Sequence, residues 1–240
     1  MKIITVASIK GGVGKSTLSV NLSMNLENCL AVDLDPQASL TDYFLRTETP
    51  ESIEKLNAYH VLTERAEPME AVRKIGNGFQ CLPSTPTLAK ISIEMAGDFG
   101  AVPRLKKEFS KLPFQNIVID TPPNLSYELR AGLFMADIVL VPVALDRWIL
   151  QGLALLKTEI QKIEKARGEK INILAVPCNV TEKESEKVRA YKNVFSEMEV
   201  KLSKSTIHKA TAIKRAIATG ERVKPGSVSD NDFSQLAGEI

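Results

Sequence analysis

The sequence of 240 residues has little of what would mark several common protein classes. Its three cysteines, Cys29, Cys81 and Cys178, lie far apart and form no C-x-x-C pair, which argues against a disulfide framework and a zinc site and fits a reducing, cytoplasmic compartment. Long apolar runs are missing. The opening stretch passes from Met1 through Ile9 straight into a glycine loop, too short for a signal peptide or a membrane span. Charge of one sign is missing too: 31 Lys plus Arg against 29 Asp plus Glu leaves +2, so any affinity for nucleic acid must come from local clustering. There is no internal repeat, low-complexity tract or Pro/Gly linker. With 44% hydrophobic residues, the chain reads as one ordered domain over residues 1–240.

What is present is an alternation of short apolar runs and helical periods. The runs 3–8, 30–34, 117–120, 138–143 and 171–177, with a weaker one at 79–82, are β-branched and flanked by helical segments rather than alternating apolar with polar, as interior strands of a parallel sheet are. Between them, 16–27, 125–135 and 147–165 carry helical patterns; in the last, Leu150, Leu153, Leu155, Leu156, Ile160 and Ile163 recur near one face. Strand then helix, repeated, predicts a doubly wound α/β fold with a mostly parallel sheet flanked by helices. Residues 47–77 read as short helices over the sheet edge, and residues 180–223 as predominantly helical and rich in Lys and Arg. Trp148 reads as a core residue, while His60 and His208 lack companions at metal-ligand spacing and read as solvated or locally hydrogen-bonded.

The first strand and helix flank Lys10-Gly-Gly-Val-Gly-Lys-Ser-Thr17. Strand, glycine turn and helix is the setting in which a phosphate-binding loop functions. Gly11, Gly12 and Gly14 allow backbone N–H groups to approach phosphate oxygens, and the helix adds its positive dipole end. Val13, Lys15, Ser16 and Thr17 complete a nucleotide-binding loop in which Lys15 charges the β- and γ-phosphates and the Ser16 hydroxyl is placed to ligate Mg²⁺. Acidic residues at nearby strand ends would hold hydrated Mg²⁺ and orient water. Asp120 ends an apolar run before Thr121-Pro-Pro, and Asp33 and Asp35 lie on the same side of an extended chain in Asp-Leu-Asp-Pro-Gln37.

The form Lys-Gly-Gly-x-Gly-Lys-Ser, followed by Asp-x-Asp-Pro-Gln and Ile-Asp-Thr-Pro-Pro, resembles the deviant Walker A ATPases of the ParA/MinD superfamily. The resemblance is strong over roughly the first half of the chain and loose over much of the rest. It implies ATP and Mg²⁺ as cofactors and a homodimer formed on ATP, with Lys10 acting across the interface. It assigns Asp35 to orienting the attacking water, and Asp33 and Asp120 to Mg²⁺ through water. Asn179 sits where family members contact adenine, with an ordinary loop asparagine as the other reading.

Within the superfamily, the cysteine positions do not suit an iron–sulfur cluster at the dimer axis. The acidic end from Asp230 to Ile240 does not suit a basic membrane-inserting helix, so no direct membrane anchor is expected. The chain is most similar to the short, Soj-like ParA class without a helix-turn-helix extension. That class implies a weak ATPase stimulated by a ParB-like partner, non-specific binding of double-stranded DNA, and a place on the nucleoid. The preferred DNA contacts are Lys209, Lys214 and Arg215, because no acid interrupts residues 203–220. Interspersed glutamates elsewhere in the segment leave the reading of a solvated helical surface open. The alternative function is an ATPase of the same fold that positions a protein complex or other non-DNA cargo.

Overall fold

The computed structural model describes the backbone of residues 1–95, 98, 100–144 and 149–240, and the side chains of all of these but 77, 149, 182, 185–187, 189 and 190. Trp148 lies outside the described residues, as do Lys187 and Arg189 beyond their backbones.

The chain begins with β1 (Lys2–Val6), the phosphate loop and α1 (Lys15–Asn25), then β2 (Cys29–Asp33) and α2 (Ser39–Leu45). Short helices α3 (Pro50–Glu54), α4 (Ala58–Leu62) and α5 (Pro68–Ala71) lead to an edge hairpin of β3 (Arg73–Lys74) and β4 (Gln80–Leu82). Then come α6 (Ile91–Glu94), α7 (Ala101–Phe109), β5 (Asn116–Asp120), α8 (Tyr127–Met135), β6 (Ile138–Val143), α9 (Ile149–Arg167) and β7 (Asn172–Val180). The last part holds α10 (Ser185–Glu197), β8 (Lys201–Leu202), β9 (Ile207–His208), α11 (Thr211–Thr219) and α12 (Val228–Glu239).

The strands lie in the order β3-β4-β2-β5-β1-β6-β7-β8, with β9 also on β7. Among the described residues only β3 runs antiparallel to its neighbour. Helices cover both faces, which explains the unbroken apolar runs. In β1 the alternation of side chains sends Ile3 into the layer beneath α4, α7 and α8, and Ile4 and Val6 into the layer beneath α1, α11 and α12. In β5, Ile117 and Ile119 join the first layer and Val118 the second. The fold is the doubly wound α/β class expected from sequence.

The region 180–223 is mainly helical, as expected, with a 3-10 turn at Glu182–Glu184 followed by α10 and α11. The sequence did not show β8 and β9, which extend the sheet by two residues each. Strands that short carry no readable period, and their pairing with β7 is set by tertiary contact.

Parallel pairing fixes where the chemistry gathers. Asp120 at the end of β5 stands level with Val6 of β1 on one side and Asp33 of β2 on the other. The phosphate loop springs from β1 at the same edge, so sequence-distant acids meet beside it. This is the carboxyl edge at which doubly wound sheets bind ligands.

Candidate functional site

At the loop, Gly12 and Gly14 adopt φ of 74° and 95°, a left-handed conformation that would strain any other residue. Gly14 is the N-cap of α1, and no side chain caps that helix. Its first amides are therefore left for an external acceptor, and the dipole favours an anion. Lys15 is buried behind the loop. Burial holds its ammonium below the usual lysine range, with Asp120 and then Asp35 opposing that shift. Lys10 is exposed, and its backbone N–H donates to Ser8 Oγ at 3.2 Å.

The three acids play different parts. Asp120 is fully buried; its Oδ1 accepts from the Ser19 hydroxyl at 2.9 Å, while Oδ2 is buried with no hydrogen-bond partner among the described residues. Asp33, also fully buried, has both oxygens engaged. Oδ1 accepts from the Asp35 N–H at 3.0 Å, and Oδ2 from the Thr41 N–H and hydroxyl, each at 2.8 Å. Asp35 is nearly buried and accepts the Gln37 N–H at 2.9 Å, which shapes the turn leading through left-handed Ala38 into α2.

Burial pushes the Asp33 and Asp120 carboxyls well above the ordinary range. For Asp33 the proximity of Asp120 adds to the shift, and the Thr41 and Asp35 donors oppose it. For Asp120 the hydroxyls of Ser16 and Ser19 and the Lys15 charge oppose it, and Asp35 adds to it. Two buried acids side by side, with Lys15 opposing the shift of Asp120 alone of the two, form a site short of positive charge. The orphaned Oδ2 of Asp120, on a carboxyl that also feels the Ser16 hydroxyl and the Lys15 charge, suits a hydrated divalent cation held with phosphate, since Mg²⁺ keeps several waters and takes few protein ligands.

Alongside the loop opens a cavity of ≈ 270 Å³. Gly12, Gly14 and Thr17 form its loop side. Cys178, Ile207, Ile213 and Phe233 give it apolar walls, and Asn179, His208, Lys209 and Lys214 carry the polar groups. Asn179 has φ of 60° and interrupts the β7–β9 register between Cys178 and Val180, which turns it out of the ladder. His208 and its Asp232 contact belong to the same wall: the His208 N–H donates to Asp232 Oδ2 at 2.9 Å, and Nδ1 lies 3.1 Å from that oxygen.

Most of the residues singled out from sequence thus come together. Residues 10–17, Asp33, Asp35 and Asp120 share one strand-end cluster, and Asn179 lies across the cavity. Lys209 and Lys214 also meet that cavity, whereas Arg215 is exposed on α11. Lys192, Lys201 and Lys204 surround a separate hollow with Glu199 and Glu239, so the basic residues of the last third fall into at least two groups. Sequence reading passed over Ser19, Thr41, Asp232 and Phe233. Ser19 had a faint signal, standing one turn after Lys15 on the same face of a helix.

A family model described as "AAA domain" matches residues 1–173. The chromosome-partitioning ATPase Soj of Thermus thermophilus is 32% identical over 178 residues, which cover 72% of this chain and 67% of that relative. A structure of a plasmid partition protein of Borrelia burgdorferi bound to AMPPNP is similar with a TM-score of 0.81 at 26% identity, covering 100% of this chain and 99% of that one. Cobyrinic acid a,c-diamide synthase of Mycobacterium smegmatis, with bound ADP and magnesium, has a TM-score of 0.81 at 23% identity, covering 99% and 93% of the two chains. That last likeness shows a shared fold alone.

Proposed function

The chain belongs to the ParA/Soj family of P-loop ATPases, and we propose that it is an ATP-driven partition switch that dimerises on ATP, binds DNA without sequence preference and segregates plasmid or chromosomal DNA. The observation that carries the reading is the meeting of Lys15, Asp35 and the unpartnered Asp120 oxygen beneath an uncapped helix end. A phosphate cradle alone would bind an anion. Acids held at its rim add what water attack on a γ-phosphate requires.

In this reading the amides of residues 11–17 and the Lys15 ammonium hold the phosphates in line. Mg²⁺, when bound, neutralises charge developing on the β- and γ-oxygens. The Ser16 hydroxyl would hold it directly and Asp120 through a water. Asp33 contributes mainly by organising its neighbours, because both its oxygens already fix Asp35 and Thr41. Asp35, almost buried yet at the rim, orients the attacking water. Lys10, on the exposed side of the loop, reaches the phosphates of a second subunit, and Asn179 meets the base. Turnover is slow until a ParB-like partner stimulates it. In the cell the ATP dimer sits on nucleoid DNA in the cytoplasm through Lys209, Lys214 and Arg215; among the described residues no helix is long and apolar enough to cross a membrane.

DNA co-sedimentation with ATP, ADP and no nucleotide across a salt series tests this. Binding should be selective for ATP and fall steeply with salt. Nucleotide-independent binding, or none at low salt, would sink the DNA reading. It would favour an ATPase that positions a non-DNA cargo, a reading supported by the presence of Lys209 and Lys214 on the nucleotide-side cavity.

A further inference from the structure

We infer that His208 is a specificity-determining residue that reads the exocyclic amino group of adenine, with Asp232 fixing which of its ring nitrogens can do so. This deepens the nucleotide reading above and rests on it. With the phosphates on the loop, the purine must lie toward the far part of the cavity, between the apolar side chains of Cys178, Ile207, Ile213 and Phe233. Apolar walls hold the faces of a ring system but do not distinguish one purine from another. Discrimination requires a polar group of fixed sense at the ring edge.

Four side chains on that wall are polar. Lys209 and Lys214 can only donate, and the Asn179 amide can present either sense by turning over. His208 is constrained. Its Nδ1 lies 3.1 and 3.2 Å from the two oxygens of Asp232, and its backbone N–H also donates to that carboxylate at 2.9 Å. A carboxylate offers only acceptors, so the histidine proton must sit on Nδ1. In the neutral ring Nε2 then carries a lone pair. No hydrogen-bond partner for Nε2 is found among the described residues, and the ring borders the cavity. Asp232 is itself nearly buried on α12, which holds the arrangement rigidly.

A fixed acceptor at this position pairs with the 6-amino group of adenine. It opposes the 6-oxo group of guanine or hypoxanthine, because two lone pairs would face each other in a site shielded from water. The same geometry gives the α11–α12 side of the molecule a direct contact with the nucleotide base.

The test is equilibrium binding of ATP and inosine triphosphate to the full chain and to His208→Leu and His208→Phe, the second keeping ring area without nitrogen. The wild-type chain should prefer ATP by about tenfold or more. Both variants should bring the two affinities to within about twofold, chiefly by weakening ATP. Retained inosine triphosphate binding in the variants shows that the fold and phosphate site survive. An unchanged ATP preference in both variants, or an equal loss for both nucleotides, would overturn the inference. If the wild-type chain bound neither triphosphate, the nucleotide reading itself would fall.

Discussion

Asp33 and Asp120 stand level on adjacent strands at full burial, and this makes the nucleotide-free site unfavourable in a way that pH can reveal. Burial, the largest cause, raises Asp33 from 3.8 to about 7 and Asp120 from 3.8 to about 6. The folded chain therefore holds protons that the unfolded chain has already released, and linkage gives the sign: stability falls as pH rises from about 4 through 7 and levels off above that. Asp120→Asn removes one charge while preserving an acceptor for Ser19. In calorimetric scans without nucleotide, the variant should melt above the wild type at pH 8, by about 2–4 °C for each kcal/mol relieved, with the advantage shrinking toward pH 4. A lower melting temperature at pH 8 would show that Asp120 stabilises the empty fold. Its ATP turnover should fall regardless, because the unpartnered oxygen is gone. Lys15 sits in the same balance from the other side, and truncating it would leave Asp120 without the cation that opposes its shift.

Among the elements, α8 shows how tightly the cluster is backed. Gly132 lies where a Cβ would come within 2.9 Å of the Thr121 methyl and 3.3 Å of the Thr5 methyl, and its carbonyl accepts the Thr5 hydroxyl at 2.7 Å. Gly132→Ala would gain about 1 kcal/mol of helix propensity. Overpacking against two buried β-branched side chains costs about 1–3 kcal/mol, so the net effect should be destabilising. A lower urea midpoint with an unchanged m-value would report it, and a higher midpoint would show that the threonines can yield. On α11, Lys214→Ala with Arg215→Ala should flatten the log–log salt slope of DNA binding by about 2. The elements themselves were largely legible in the sequence: β6 agrees end for end, and the other main strands differ by one to three residues at an end. A β-branched run buried on both faces has little else it can become. The phosphate loop and its acids were legible because each motif is local in sequence. Thr41 on Asp33, Ser19 on Asp120 and His208 on Asp232 were not, since those pairs span 8, 101 and 24 residues and follow only from the register of the sheet and the docking of helices. The short strands β8 and β9 escaped for the same reason.

At the scale of the molecule, the site and the basic helix are joined by α2. Thr41 holds Asp33 from one side of that helix, Tyr43 donates to the Glu221 carbonyl at 2.7 Å, and Arg46 reaches the Ile217 and Ala218 carbonyls at the end of α11 at 3.5 and 3.2 Å. In the proposed function, these bonds offer a short path from the acid cluster to α11, which bears Lys214 and Arg215. In the proposed function dimerisation is the larger output, and Lys10 is the residue through which it is tested. Lys10→Ala should retain nucleotide but lose the ATP-dependent dimer in size-exclusion chromatography with light scattering. Asp35→Ala should keep the dimer and lose turnover. Mixing the two variants separates a trans from a cis role. In a mixed dimer, the Lys10→Ala subunit keeps its own Asp35 and receives Lys10 from its partner, so one complete site forms. The other site lacks both residues. Turnover of the mixture should exceed the sum of the two variants measured alone. If Lys10 served its own subunit, every site in every dimer would lack one of the two residues, and mixing would restore nothing.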